Sequence, residues 1–184
     1  MNDEKSLHNA IYEGVALSPY DPKWPSMFEV ERSRLFSLFP DQFAAIEHFG
    51  STAVPGLSAK PIIDILAGVE SMSQADSLIK PLCRSKFTTS AEFNATLQDR
   101  RWLMRWADGH RTHHLHLVVH GGSQWQRRLA FRDALRSNEE LAKRYEQLKK
   151  RLVAEFSSNR EAYTEAKAEF VREVLECNEH NQSL

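Results

Sequence analysis

The feature that most limits how this chain can fold is the run at residues 62–69, apolar along its length except for one acid, Asp64. Ile62, Ile63, Ile65, Leu66 and Val69 leave neither side of a strand for solvent, which predicts a central strand covered on both faces. A carboxylate held there loses hydration and needs a cation or hydrogen-bond donors in return. Just upstream, residues 45–49 read as a shorter strand that ends at Gly50-Ser51. The stretch 45–69 is therefore expected to fold as strand, small-residue loop, strand, with the acid close behind the loop.

What surrounds this stretch bounds the class. A chain of 184 residues, 41% hydrophobic, has material for one core with an added helical part. Its 24 Lys and Arg balance 25 Asp and Glu, which argues against a general nucleic-acid or membrane-surface binder. No uncharged apolar run reaches the roughly 18 residues of a membrane span. Met1-Asn2-Asp3-Glu4-Lys5 lacks the basic start and apolar core of a signal peptide. Cys83 and Cys177, without paired spacing, read as reduced structural thiols. The expectation is a soluble cytoplasmic protein.

Residues 1–18 read as a polar N-terminal extension with an apolar patch at 11–17. Asp21 or Ser26 is expected to cap a helix starting near Pro25, with Met27, Phe28, Val30, Glu31, Leu35, Leu38 and Phe39 at helical spacing until Pro40. Ser71 opens a second helix reaching about Arg84. Residues 86–89 and 100–107 read as strands separated by a polar connection at 90–99. Asp108-Gly109 is a tight-turn signal before a strand at 111–120. From Ser123 the period becomes helical, with restarts at Asn138 and Asn159, and 179–184 form a polar tail. This order predicts an α+β fold with a mixed or antiparallel sheet: a single domain over 19–178, made of a sheet core (19–121) and C-terminal helices (122–178).

Gly50 and Ser51, where a strand gives way to a loop, offer backbone N–H groups and a hydroxyl to an anion, although a plain turn would use the same residues. Asp64 lies far enough along for the chain to double back, so that a divalent ion bridges acid and phosphate. Lys60, between them, reads either as a phosphate-neutralising charge or as a solvated loop charge. Alternation puts Thr112, His114, His116, Val118 and His120 on one face, with His113, Leu115, Leu117 and Val119 on the other. His114 and His116 then suit metal ligation or phosphate contact, a neutral imidazole pair in a polar cleft being the alternative. Arg100, Arg101, Arg105 and Arg111 gather near the same strands, either facing an anionic substrate or as sheet-edge charges. The chain has no Gly-rich loop ending in Lys-Ser or Lys-Thr and no dinucleotide fingerprint. No Gly-flanked elbow surrounds Ser51.

The blocks Gly50-Ser51-Thr52-Ala53-Val54-Pro55-Gly56-Leu57, Lys60-Pro61-Ile62-Ile63-Asp64-Ile65, Thr112-His113-His114-Leu115-His116 and Phe131-Arg132-Asp133-Ala134-Leu135-Arg136 resemble, in this order, the signature of the GrpB family. Tyr20-Asp21-Pro22-Lys23-Trp24-Pro25 and Tyr163-Thr164-Glu165-Ala166-Lys167 look like that family as well. The resemblance implies a nucleotidyltransferase-like fold of the polymerase-β type. It also implies metal-dependent transfer of a nucleotidyl group from a nucleoside triphosphate to an acceptor. On that pattern Gly50, Ser51 and Thr52, with Arg101 and Arg111, would bind phosphates, and Asp64 and Lys60 would be catalytic. The metal would lie on Asp64, His114 and His116. Some family members are fused to a dephospho-CoA kinase domain, but this chain has no kinase phosphate loop. It departs from the superfamily at Leu66, where a second acid is expected, and histidines stand in for a third. One aspartate with histidines holds less negative charge than two-metal transfer uses; of magnesium, manganese and zinc, such a site leans toward manganese or zinc, or toward a single metal held largely by substrate phosphates. The alternative expectation is a non-catalytic nucleotide- or coenzyme-binding module of the same fold.

Overall fold

A computed structural model describes residues 16–107, 110–156 and 160–182. Its elements in chain order are helix α1 (Trp24–Leu38), strand β1 (Ala45–Phe49), a 3-10 turn (Ser51–Ala53) and β2 (Ile63–Val69). Then come α2 (Met72–Arg84), β3 (Phe87–Thr88), α3 (Ala91–Ala95), β4 (Arg101–Ala107) and β5 (His110–Val119). Three helices close the chain: α4 (Ser123–Ser137), α5 (Glu139–Phe156) and α6 (Arg160–Gln182). The fold is α+β.

The five strands form one open mixed sheet in the order β1-β2-β5-β4-β3. Only the central pair, β2 with β5, is parallel. A parallel pair needs a long crossover, and here α2, β3, α3 and β4 supply it. The register sets Phe49 opposite Asp64, Asp64 opposite His114, and Leu66 opposite His116.

The sheet is covered unequally. On one face Trp24, Phe28 and Leu35 of α1 and Ala75, Leu78 and Leu82 of α2 pack onto Ile46, Ile63, Ile65, Leu103, Leu115 and Leu117 in a continuous apolar core. On the other, Trp125 of α4 joins Phe49, Leu66 and Val118 in a smaller buried cluster. Further out, Val54 and Leu57 join Leu135 and Tyr145 of the C-terminal helices. The same alternation that fills the first face with aliphatics leaves Asp64, His114 and His116 on the second.

Several local expectations change. Val30 (70% exposed) and Leu38, counted in the spacing of α1, point outward, while Glu31, counted with them, is buried on the inward stripe of Trp24, Phe28, Glu31 and Leu35. Asp21 accepts from the Lys23 N–H rather than capping at Pro25, and the Ser26 hydroxyl donates to the Lys23 carbonyl. The 90–99 connection contains a short helix, capped by Ser90 accepting from the Phe93 N–H. Asn94 pins that helix to β4, donating to the Trp102 carbonyl and accepting the Trp102 N–H. The last helix continues to Gln182, into the stretch expected as a polar tail. Both cysteines are exposed and outside any disulfide, so neither serves the core. The turn at Asp108-Gly109 lies outside the described residues. Ser18 bridges to Ala59 by two backbone hydrogen bonds, tying the edge of the N-terminal extension to the loop before β2.

Candidate functional site

The site begins where β1 ends. Gly50 has φ 72° and ψ −171°, a region open in practice only to glycine. A Cβ there would overlap Oδ2 of Asp64 and lie 3.0 Å from its Cβ. Glycine thus serves both the backbone turn and the close approach of the acid. Asp64 meets His114, whose Nδ1 lies 3.1 Å from Oδ1. Asp64, His114 and His116 each offer a ligand atom within 4.8 Å of the others.

His116 is 8% exposed and stands edge-on to the Phe49 ring at 5.1 Å. Its Nδ1 is buried without a hydrogen-bond partner. Burial, then the nearby guanidiniums of Arg128 and Arg100, hold its pKa well below the ordinary histidine value. A histidine kept neutral, with an unclaimed ring nitrogen beside a carboxylate, has the chemistry of a metal ligand. One oxygen and two nitrogens suit manganese or zinc better than magnesium. The donor set fits a single divalent ion. Leu66, on the same face as Asp64, is fully buried against Trp125 and adds no carboxylate to the group.

The loop after Gly50 is fastened by the C-terminal helices. Lys149 of α5, 2% exposed, donates to the Ser51 hydroxyl at 3.1 Å and to the Ser58 carbonyl, with its ammonium 5.0 Å from the Tyr145 ring. Burial, followed by the like charge of Lys167, pushes its pKa down to about 7. Glu146 accepts from the Ser58 N–H, and Arg136 of α4 donates to the Ala53 carbonyl at 2.8 Å. Arg132 ties α4 to β1 through Glu47 and the His48 carbonyl.

Of the residues expected at the site, Gly50, Ser51, Asp64, His114 and His116 are brought together. Lys60 is half-buried in the segment leading into β2. Thr52 is corrected: its hydroxyl is 1% exposed and spent inside, donating to the Ile62 carbonyl and meeting His48 Nε2 at 3.0 Å. His48, stacked on Phe28, has its pKa lowered to about 4 by burial. Arg101 is also corrected. Opposite Leu117 on the α2 side of the sheet, it forms a two-point ion pair with Asp76 and cannot reach an anion beside Ser51. Arg105 likewise turns to Glu31 of α1. Arg111, 3% exposed, pairs with Trp106 where the β4–β5 register shifts by one residue.

Two participants escaped sequence reasoning, Lys149 and Arg128. Lys149 does carry a signal, since it falls on the same helical stripe as Tyr145 and Leu152, where a solvated lysine is out of place. Arg128 lies one turn from Trp125 and Arg132, with its guanidinium carbon 5.4 Å from the Phe49 ring centre. Among the described residues, no helix is long and apolar enough to cross a membrane.

Comparison with known proteins finds relatives over most of the chain. A GrpB protein family model matches residues 14–177. The glutamate-rich protein GrpB of Alkalihalophilus pseudofirmus is 35% identical over 88% of this chain and 94% of its own length. A dephospho-CoA kinase of Mycolicibacterium paratuberculosis is 28% identical over 87% of this chain, a match spanning 45% of that protein. Among solved structures, the conserved protein GrpB from Enterococcus faecalis superposes with a TM-score of 0.75 at 34% identity, covering 89% of this chain and 99% of that one. The chain belongs to the GrpB family.

Proposed function

We propose that this protein is a metal-assisted nucleotidyltransferase-like enzyme that moves a nucleotidyl group from a nucleoside triphosphate to an acceptor. The observation that carries the reading is the convergence of Asp64, His114 and His116 directly behind the Gly50-Ser51 turn. In it, Asp64 and the two histidines hold one divalent ion, of which manganese and zinc suit the donors best. A bound cation there would draw off charge developing on a phosphoryl oxygen. Ser51 keeps its O–H proton for a phosphate oxygen, because Lys149 donates to the lone pair behind it. Lys149 also holds the loop in shape by donating to the Ser58 carbonyl, so the phosphate contact is preorganised.

The test is titration of ATP, CTP, GTP and UTP into the protein with Mn²⁺, comparing wild type with Asp64→Ala. Metal-dependent binding of a nucleotide that weakens in the variant supports the reading. Equal binding in both proteins, or none in either, rejects it.

A second reading, a nucleotide- or coenzyme-binding module without turnover, is favoured by one observation, the fully buried Leu66 at the second-acid position. With one carboxylate, the site neutralises less of the charge that in-line displacement develops. Consumption of a nucleotide in the presence of an acceptor mixture, followed by mass spectrometry, would rule that reading out.

A further inference from the structure

Most arginines of the sheet layers are matched to acceptors. Arg34 and Arg105 share Glu31, Arg101 holds Asp76, and Arg132 holds Glu47 and Asp133. Arg100 and Arg128 differ. Among the described residues neither guanidinium has an ion pair or a hydrogen bond, and Nε of Arg128 is buried without a partner. Yet both line one cleft of about 450 Å³, whose far wall is Thr96, Gln98 and Gln124. The one carboxylate in that wall, Asp99, is already engaged, accepting from the Gln124 amide at 2.6 Å.

Two half-buried cations face this space with one nearby carboxylate, Asp99, between them, so the cleft keeps an excess of positive charge that an anion would offset. Their mutual influence is visible in Arg128, whose pKa is lowered to about 10 by burial and then by Arg100. The cleft adjoins the triad. Arg128 lies over Phe49, which contacts His116. Arg100 immediately precedes Arg101, the residue opposite Leu117 and therefore next along from His116. Phe49 stands opposite Asp64 and directly precedes Gly50, so Arg128, over that ring, lies close to both the triad and the turn.

We propose that Arg100 and Arg128 form an anion subsite that holds a phosphoryl group of the substrate at the His116 end of the triad. Paired guanidiniums present forked donors that match phosphate oxygens, and a partly desolvated pair does so more strongly than surface charge. The subsite deepens the transfer reading, on which its substrate role rests. The phosphoryl group belongs either to the nucleotide's own chain or to a phosphorylated acceptor.

The experiment is calorimetric titration of inorganic tripolyphosphate into the full chain in EDTA, with neither metal nor nucleoside present. Wild type is expected to bind, and Arg100→Gln and Arg128→Gln each to weaken binding about tenfold or more. Asp64→Ala, which removes a nearby negative charge, is expected to bind at least as well as wild type. Arg127→Gln, at an exposed neighbouring position of α4, should leave binding unchanged. Absence of binding in wild type, or equal losses in Arg127→Gln and Arg128→Gln, would overturn the proposal. Thermal melts of both glutamine variants establish that they fold, and Arg128→Lys, retaining charge without the fork, should recover part of the affinity. Competition then separates the sources: displacement by metal-free ATP alone assigns the subsite to the nucleotide, displacement by glycerol phosphate to the acceptor. Because no metal is present, failure here leaves the Mn²⁺ test of transfer standing, and failure of that test leaves the subsite standing.

Discussion

The two faces of the sheet carry polar clusters of similar size and opposite character. Under α1, Glu31 is 1% exposed and pairs with both Arg34 and Arg105, while His113 beside them has its pKa lowered to about 4, mainly by burial. Each of those arginines has a carboxylate partner within the fold. Under α4, Asp64, His114, His116, Arg100 and Arg128 gather, with Asp64 and His114 in contact, and the arginines face a cleft. A closed cluster holds elements together. An open one keeps unmet electrostatic demand that a ligand can satisfy, which is how perturbed groups in a cleft point to function.

The difference makes predictions on each side. The largest effect is expected from Glu31→Gln, which leaves two arginines facing each other without their carboxylate. Chemical denaturation should show a loss of about 3–5 kcal/mol, the usual cost of breaking a buried ion pair from one side. If the loss is below about 1 kcal/mol, the α1 cluster is not structural and the contrast between faces fails.

Gly50→Ala comes next. The left-handed backbone costs on the order of 1–3 kcal/mol, and overlap with Asp64 adds to it. The variant should lose stability and nucleotide binding together, since the same carboxylate must move. Asp64→Asn should separate the two: stability within about 1 kcal/mol of wild type, because this side chain is partly exposed and has one short contact, with Mn²⁺ affinity down at least about tenfold. Equal Mn²⁺ affinity would place the metal elsewhere.

A pH-dependent effect concerns Lys149. Its folded pKa of about 7 lies below the ordinary lysine value of 10.5, so between these values the unfolded chain binds the extra proton. Stability from this group should therefore rise with pH across that window, by up to about 1.4 kcal/mol per unit, and flatten above it. Neutral lysine retains two N–H donors, enough for the Ser51 hydroxyl and the Ser58 carbonyl. In Lys149→Met the rise should vanish from the difference between pH 7 and pH 9 denaturation curves. A rise that persists assigns it to another group.

Much of the site's first half was legible because it is local. The Gly-Ser turn, the lone in-strand acid and two histidines at alternate positions are short-range patterns, and a strand's two-residue period places side chains without knowledge of the rest. The arginines were not legible in the same way. Arg100 and Arg101 are adjacent, yet alternation sends one to the cleft and the other to Asp76 on the far side, and a one-residue error in the strand's start exchanges them. Thr52 has the composition of a phosphate-loop residue, but its hydroxyl is taken by Ile62 and His48. The helical spacing at 27–39 does form a helix, and spacing rather than hydropathy is what places Glu31 on its inward stripe.

By itself, then, the sequence determined the α+β class, the strand–turn–strand around Gly50, and the shared face of Asp64, His114 and His116, since each follows from backbone periodicity or from glycine's conformational range. The tertiary structure decided what those residues stand beside. Only long-range packing brings Lys149 across to Ser51 and Arg128 across to Arg100. Contacts of that separation are set by how helices dock on a sheet, and no local pattern in the chain records them.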